Sequence, residues 1–598
     1  MNTWWFVWRL IRFAPGVFAL QSALIIFYLG VRVVPGLIEK AVFDTVTGAA
    51  PVAVGIPALV ALYVSVGLAR SIATYGETWA GRTFRYRVGA LLRRNLMAAH
   101  LRRPGAAALP ASSGEAVNRY RDDVAEVADF PLWLPDVAGN VLSFIIAVVI
   151  MARISLPITL FVFAPLVVAF VAGRAAWSRY LAYGHREGRA ADAVTGFLGE
   201  LLGAVQAVKL ADAAEPVIVH FAALGEERRR AAVRLGVLEE TLSAIQASAV
   251  TVGVGVMLLL VGQAMSSGAF TVGDFALFVY FLWFTTDLPS YLGSFVGDIK
   301  QQDVAIERLT TLIPEFPPQT LAEHHPVYQT ETPPLLAAPR RAAGDRLEML
   351  EATGLTVIFA DNGRGVRNVD LTIRPGSFTV ITGQVGAGKT TLLRGLLGLL
   401  PLDAGVIRWN GAAVDDPATW FQPPRCAYTP QTPRLFSAAL RENILLGLPE
   451  SAVDLNAALH AAVLEPDVTA LEAGLETVVG PRGMRLSGGQ VQRVAAARML
   501  ARQPELLVCD DLSSALDVET EGLLWERTAR RASTSTSTNP SGRTFVVVSH
   551  RRPVLRLADQ VVVLKEGRVE AVGALDALLT SCEEMRRLWE SWQDSAPR

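Results

Sequence analysis

The chain has 598 residues, 51% of them hydrophobic and 19% charged, and its mean hydropathy is positive. It is too long for one compact core and too apolar for a wholly soluble protein. A formal net charge of −1 leaves no nucleic-acid footprint, so nucleic acid is excluded as a partner.

Met1–Pro15 sets Arg9 and Arg12 among Trp4, Trp5, Phe6, Trp8, Leu10 and Ile11. It has no convincing cleavage site for a signal peptide and reads as an amphipathic helix lying on the inner leaflet. Six apolar stretches follow, near Val17–Pro35, Val52–Ala73, Pro131–Met151, Leu156–Ala172, Leu242–Val261 and Val272–Val296. Several reach the roughly 20 residues that a helix needs to cross a bilayer. The connectors at Glu39–Pro51, Arg153 and Gly262–Thr271 are short and nearly free of basic residues.

Between the second and third stretches the chain carries Arg82, Arg85, Arg87, Arg93, Arg94, Arg102, Arg103, Arg119 and Arg121. Between the fourth and fifth it carries Arg174, Arg179, Arg186, Arg189, Lys209, Arg228, Arg229, Arg230 and Arg234. Lys and Arg gather on the cytoplasmic side, which places both long segments and both termini inside. Folded as a hairpin, each segment of roughly 60 residues extends about 40 Å beyond the membrane. In the sixth stretch, Asp287 beside Thr285 and Thr286 points to a water-filled substrate path, with Pro289 allowing a bend. Pairing of Asp287 with an Arg nearer the cytosol is the equal alternative.

The helical domain is expected over 1–313. Pro314, Pro317, Pro318, Pro326, Pro333, Pro334 and Pro339 then exclude regular helix, so 314–346 reads as a linker. A second domain is expected over 347–592. Its three cysteines, Cys426, Cys509 and Cys582, are scattered and read as reduced cytosolic thiols. The run Ser533–Gly542 reads as a surface insert.

Within that domain, Gly383-Gln384-Val385-Gly386-Ala387-Gly388-Lys389-Thr390-Thr391 fits G-x-x-x-x-G-K-[ST]. The apolar strand Phe378–Thr382 precedes it and a helix-forming run follows, which is the context the motif requires. Its glycines turn backbone N–H groups onto phosphate oxygens, and the helix N-terminus adds partial positive charge. Lys389 reaches the β- and γ-phosphates, and the Thr390 hydroxyl can ligate Mg²⁺. Downstream come Leu486-Ser487-Gly488-Gly489-Gln490, then Leu506-Leu507-Val508-Cys509-Asp510-Asp511, Ser514-Ala515-Leu516-Asp517 and Val546-Val547-Val548-Ser549-His550.

With these motifs the chain closely resembles the ATP-binding cassette (ABC) family, over 347–592 and in the helical region before it. Ser113–Val124 is similar to the first intracellular loop of exporter-type members. Gly203–Leu210 with Phe221 is similar to the second, and in that family each loop ends in a coupling helix that docks on a cassette. The resemblance implies a multidomain fold: an all-α six-helix transmembrane domain of exporter type, then an α/β P-loop NTPase cassette.

It also implies the site. ATP and Mg²⁺ are the expected cofactors. Phe359 takes the place of the aromatic that stacks on adenine, Gln431 that of the glutamine sensing Mg²⁺ and γ-phosphate, Asp510 that of the Mg²⁺-organising aspartate, and His550 that of the histidine contacting γ-phosphate. Ser487, Gly488, Gly489 and Gln490 form the signature, which in this family covers the nucleotide of the opposite cassette. Two cassettes must then close on ATP.

Two positions depart from the family. Asp511 stands where a Glu usually polarises the attacking water, and its carboxylate falls roughly 1.5 Å short, a misplacement that can cost about 10²-fold. Pro481 stands where exporters usually carry Glu. The expected protein is a half-transporter hydrolysing ATP in the cytosol while moving a small molecule, lipid or peptide outward across the inner, cytoplasmic membrane. It works as a dimer, and a different half-transporter is the favoured partner over a second copy because of Asp511. An importer on the exporter fold, of the siderophore kind, and a weakly hydrolysing regulatory subunit stay open. Nothing points to a leader-peptide-processing exporter.

Overall fold

The structure, a computed structural model, describes residues 3–49, 54–105, 113–266, 270–286, 288–328, 332, 341–480, 486–529 and 542–591. The chain divides into two units, Met1–Ala99 with Pro110–Gln329, and His100–Leu109 with Thr330–Arg598.

The first unit is helical. Its elements are α1 (Thr3–Phe13), α2 (Pro15–Gly30), α3 (Val34–Thr47), α4 (Ile56–Arg102), α5 (Ser113–Asn118), α6 (Val124–Ile154), α7 (Leu156–Gly203), α8 (Val205–Leu210), α9 (Ala214–Ser266), α10 (Val272–Thr285) and α11 (Leu288–Thr311). Among the described residues, Pro15–Thr47, Ile56–Arg102, Gly114–Ile154 and Ala214–Val261 are long and apolar enough to cross a membrane. Leu156–Pro165 and Val272–Thr285 are shorter apolar helices. The six apolar stretches of the sequence fall on these elements. Helices α4, α7 and α9 have 47, 48 and 53 residues, or about 70–80 Å at 1.5 Å per residue. The hydrocarbon layer is only about 30 Å thick, so the basic segments are continuations of the membrane helices.

Helix α1 buries Phe6, Val7, Leu10 and Ile11 in a cluster with Phe84, Leu92, Val124 and Leu309. Trp4, Trp5 and Trp8 stay exposed. The face expected to lie on lipid is therefore docked on protein, and the tryptophans are what the helix offers outward. The expected linker also begins inside this unit. Its 3-10 turn Pro318–Ala322 buries Leu321 and Ala322 in the same cluster, and Asn95 Nδ2 donates to the carbonyls of Leu321 (3.0 Å) and Glu323 (2.8 Å).

A buried ionic cluster ties α3 to α10. Lys40 Nζ lies 2.8 Å from Asp44 Oδ2 and 2.6 Å from Asp274 Oδ1. Asp274 also closes a capping box with Thr271, and Asp44 Oδ1 accepts from Gly273 N at 3.2 Å.

Among its described residues, the second unit contains two sheets. Strands β1 (Leu350–Ile358), β2 (Gly365–Ile373), β4 (Ala404–Trp409) and β5 (Ala412–Ala413) form an antiparallel sheet in the order β2-β1-β4-β5. The other strands are β3 (Phe378–Gly383), β6 (Cys426–Thr429), β7 (Leu506–Asp510), β8 (Thr544–Val548), β9 (Gln560–Lys565) and β10 (Arg568–Gly573). They run in the order β10-β9-β3-β8-β7-β6, parallel except for β10.

Every residue of β3, β7 and β8 is buried, because helices cover both faces. Val380, Leu507, Cys509 and Val547 point into one core with the helix Gly488–Leu500. Their neighbours Ile381, Leu506, Val508 and Val546 point into the other, with the helix Lys389–Leu396. All three cysteines are buried and unbonded.

Replacing Lys40 by Met leaves two buried carboxylates facing each other. That variant should lose about 3 kcal/mol of stability, read as a lowered thermal midpoint in detergent. An unchanged midpoint would contradict the role given to the cluster.

Candidate functional site

Four neighbouring parallel strands end at one edge, and each delivers part of the candidate site. After β3 comes the phosphate loop, after β8 Ser549 and His550, at the end of β7 Asp510 and Asp511, and just beyond β6 Gln431. The carboxyl edge of an open parallel sheet is where such folds place their ligands.

The loop's shape requires its glycines. Gly386 and Gly388 have φ of +84° and +97°. A Cβ on Gly388 would sit 2.7 Å from Val366 Cγ1, and one on Gly383 would sit 2.2 Å from the Leu564 carbonyl oxygen. Ala387 is buried, Thr391 half-buried and Val385 fully exposed. Lys389 Nζ donates to the carbonyls of Gly383 and Gln384, both at 2.8 Å. Burial pulls its ammonium pKa down, opposed by the charges of Asp510 and Asp511. The lysine is curled over its own loop, with its charge held where a phosphate can take over from the two carbonyls.

Thr390 Oγ1 donates to Asp510 Oδ1 at 3.1 Å. Burial pushes the Asp510 pKa up, with the Thr390 hydrogen bond opposing. Asp510 Oδ2 and Asp511 Oδ1 are buried without a hydrogen-bond partner among the described residues. Asp511 adopts φ +55°, with its N–H donating to Val548 O at 3.0 Å, and Gln431 Nε2 lies 3.5 Å from its Oδ2. Orphaned carboxylate oxygens beside a threonine hydroxyl suit a hard divalent cation. Among the described residues, no group of three or more His, Cys, Asp or Glu could hold a metal by itself. A cation here needs further oxygens, which a triphosphate carries.

Phe359, 38% exposed, caps the β1–β2 hairpin, donating to Arg364 O and accepting from Gly363 N, each at 2.8 Å. The start of β2 abuts the phosphate loop at Gly388. His550 is exposed at the edge.

The signature makes no hydrogen bond to the phosphate loop among the described residues. Ser487 caps the helix Gly488–Leu500, its hydroxyl accepting from Gln490 N at 3.3 Å and its N–H donating to Gln490 Oε1 at 2.9 Å. Glycine at 489 admits the close approach of Ala515 O, 3.0 Å from where a Cβ would lie. Asp467 anchors the helix by accepting from Gln490 Nε2 (3.1 Å) and from Arg493 (2.8 Å).

Sequence reasoning missed Asp467. It also missed Glu521, which accepts from Ser513 Oγ and, at 2.7 Å, from Arg551 Nη1, joining the segment after Asp511 to the one after His550. Neither residue sits in a motif, and their arginine partners lie 26 and 30 positions away, so no local signal marks them.

Thr285 and Thr286 are buried and donate to their own helix, to Phe281 O at 2.8 Å and Trp283 O at 3.4 Å. Asp287, Pro481 and most of the insert at 533–542 lie outside the described residues.

Comparison with known proteins places the chain in a family. A family model described as ABC transporter transmembrane region matches residues 22–288, and one described as ABC transporter matches 366–514. The chain is 28% identical over 574 residues to a multidrug efflux ATP-binding/permease protein of Mycobacterium bovis, covering 95% of this chain and 45% of that one. It is 28% identical over 383 residues to an ATP-dependent lipid A-core flippase of Burkholderia thailandensis, covering 64% of this chain and 60% of that one. The chain spans about half the length of the curated relatives it matches. A solved bacterial Atm1-family ABC exporter with ATP bound shares the fold, at TM-score 0.69 and 22% identity over 98% of this chain and 99% of that one.

Alanine at Gly388 would force a Cβ into a left-handed residue, at about 1–2 kcal/mol, and against the fully buried Val366. ATP binding by Gly388→Ala should weaken about five- to thirtyfold by this count. Wild-type affinity in equilibrium titration would contradict the loop geometry.

Proposed function

The chain belongs to the ATP-binding cassette transporters of exporter type, with one transmembrane region followed by one cassette, and we propose that it couples ATP hydrolysis to outward movement of a small molecule, lipid or peptide. The observation that carries this reading is the single strand edge bearing Lys389, His550, Asp510, Asp511 and Gln431. The printed names of the multidrug efflux and lipid A-core flippase relatives favour a small-molecule or lipid cargo moved outward. The basic cytoplasmic segments favour a cytoplasmic membrane with the cassette in the cytosol.

In this reading the loop N–H groups and Lys389 bind the β- and γ-phosphates, and Phe359 stacks on adenine. Thr390, Asp510 and Gln431 hold Mg²⁺, which supplies charge neutralisation on the triphosphate when bound. Asp511 orients the attacking water, with its unpartnered Oδ1 available to accept that water's proton in a hydrogen bond. His550 donates to the γ-phosphate.

The site is completed by a second cassette, whose Ser487-type hydroxyl and signature glycines cover the γ-phosphate. Two exposures support a partner chain. Val385 projects fully from the loop, and the ends of α7 and α8 expose Leu202 (75%) and Leu210 (90%) to solvent. Coupling then runs through α8 and through the loop near Ser113 as the cassettes close on ATP and part after hydrolysis.

Asp511 favours an asymmetric pair. A different half-transporter supplies the stronger base, and this chain supplies its signature in trans while holding an ATP that turns over slowly. Lys389→Ala should abolish ATP binding by removing the charge that meets the phosphates, and undiminished photolabelling by an ATP analogue would refute the assignment. In the asymmetric pair Asp511→Asn should change turnover by less than about twofold, while Ser487→Arg should stop it. A dimer of this chain alone with robust ATPase activity that Asp511→Asn eliminates would refute the asymmetric pairing.

A further inference from the structure

The phosphate loop has a tether that no motif announces. Glu584 lies in the helix Glu583–Ser591, and its side chain is almost wholly buried. Its Oε1 accepts from Gln384 Nε2 at 2.7 Å. Lys565 Nζ and Arg587 Nη1 stand 3.6 and 3.7 Å from its other oxygen. Gln384 is one of the two loop residues, with Gly383, whose carbonyls hold the Lys389 ammonium. The far end of the same helix reaches the His550 segment. The Arg552 guanidinium lies 4.6 Å over the Trp589 ring and donates to the Trp589 carbonyl. Met585 and Leu588 seat the helix in the core beside Val380 and Val561. One short helix is thus bonded to the phosphate loop after β3 and to the start of the helix Arg552–Leu557, just beyond His550.

A buried carboxylate is costly unless hydrogen-bonded and charge-paired, and an exposed glycine-rich loop has many conformations to lose on binding phosphate. Resting on the ATP-binding reading above, we propose that Glu584 is a positioning residue for nucleotide binding. It fixes Gln384, the first turn of the phosphate loop, so that the Lys389 ammonium and the loop N–H groups are already arranged when the triphosphate arrives. Lys565 and Arg587 offset its negative charge, so the carboxylate does not repel the phosphates. The helix beyond it makes the β3 and β8 loops move as one body.

The test is displacement of trinitrophenyl-ATP by MgATP from the full chain in nanodiscs. Glu584→Ala should weaken MgATP binding about tenfold, the value of one hydrogen bond to a charged group. Glu584→Gln keeps the acceptor and should restore affinity to within about twofold. Gln384→Ala should weaken binding to the same extent, and the double variant no further, because both remove one interaction. Unchanged affinity in Glu584→Ala overturns the proposal, and so does a loss that Gln does not rescue or that adds to the loss from Gln384→Ala. If Glu584→Ala fails to fold, wild-type affinity in Gln384→Ala overturns it alone. Failure of the ATP-binding reading is separate, since there Lys389→Ala would leave MgATP binding intact.

Discussion

Burial of β3, β8 and β7 on both faces is the constraint from which the rest of the cassette follows. Strands packed between two helical layers have no room for polar chemistry along their length. Whatever meets a charged ligand must stand beyond their carboxyl ends. Because β3, β8, β7 and β6 run parallel and adjacent, those ends converge, and residues more than a hundred positions apart reach one edge. The alternation of Val380 and Leu507 into one core with Ile381 and Leu506 into the other holds that edge in register.

The residues at the edge are held by different means, and the difference decided what the sequence could reveal. Gly383, Gly388, Lys389, Thr390 and Asp510 must keep fixed spacing to a strand end, so their pattern is local and readable. The helical unit was readable for a related reason, since long apolar stretches and the placement of Arg and Lys follow from the bilayer itself. The supports were not. Glu521 reaches Arg551, Asp467 reaches Arg493, and Glu584 reaches Gln384 across 200 positions. Such pairs leave no periodicity, and either partner alone looks like a polar surface residue. The leaflet-facing assignment of α1 met the same limit. Its amphipathic pattern is real, but the pattern does not say whether lipid or Phe84 and Leu309 will cover the apolar face.

The positions of the basic segments carry a mechanical consequence. In α4, α7 and α9 no break separates the apolar stretch from its basic continuation. A stiff helix transmits displacement along its axis with little loss, whereas a hinged hairpin would absorb it. The ends of α7 and α8, with their exposed leucines, are suited to receive motion from another surface. The signature helix, anchored by Asp467 and not hydrogen-bonded to its own phosphate loop among the described residues, is likewise suited to face a different chain.

The central claim is that this cassette is half of a site. Val385, fully exposed at the tip of the phosphate loop, is the position from which to ask. A photo-crosslinking amino acid placed there in the full chain, irradiated in native membranes with and without MgATP, identifies what covers the loop. The account predicts a MgATP-dependent adduct with the signature peptide of a second cassette, on another half-transporter or another copy of this chain. An adduct that forms equally without nucleotide, or one confined to this same chain, would contradict it.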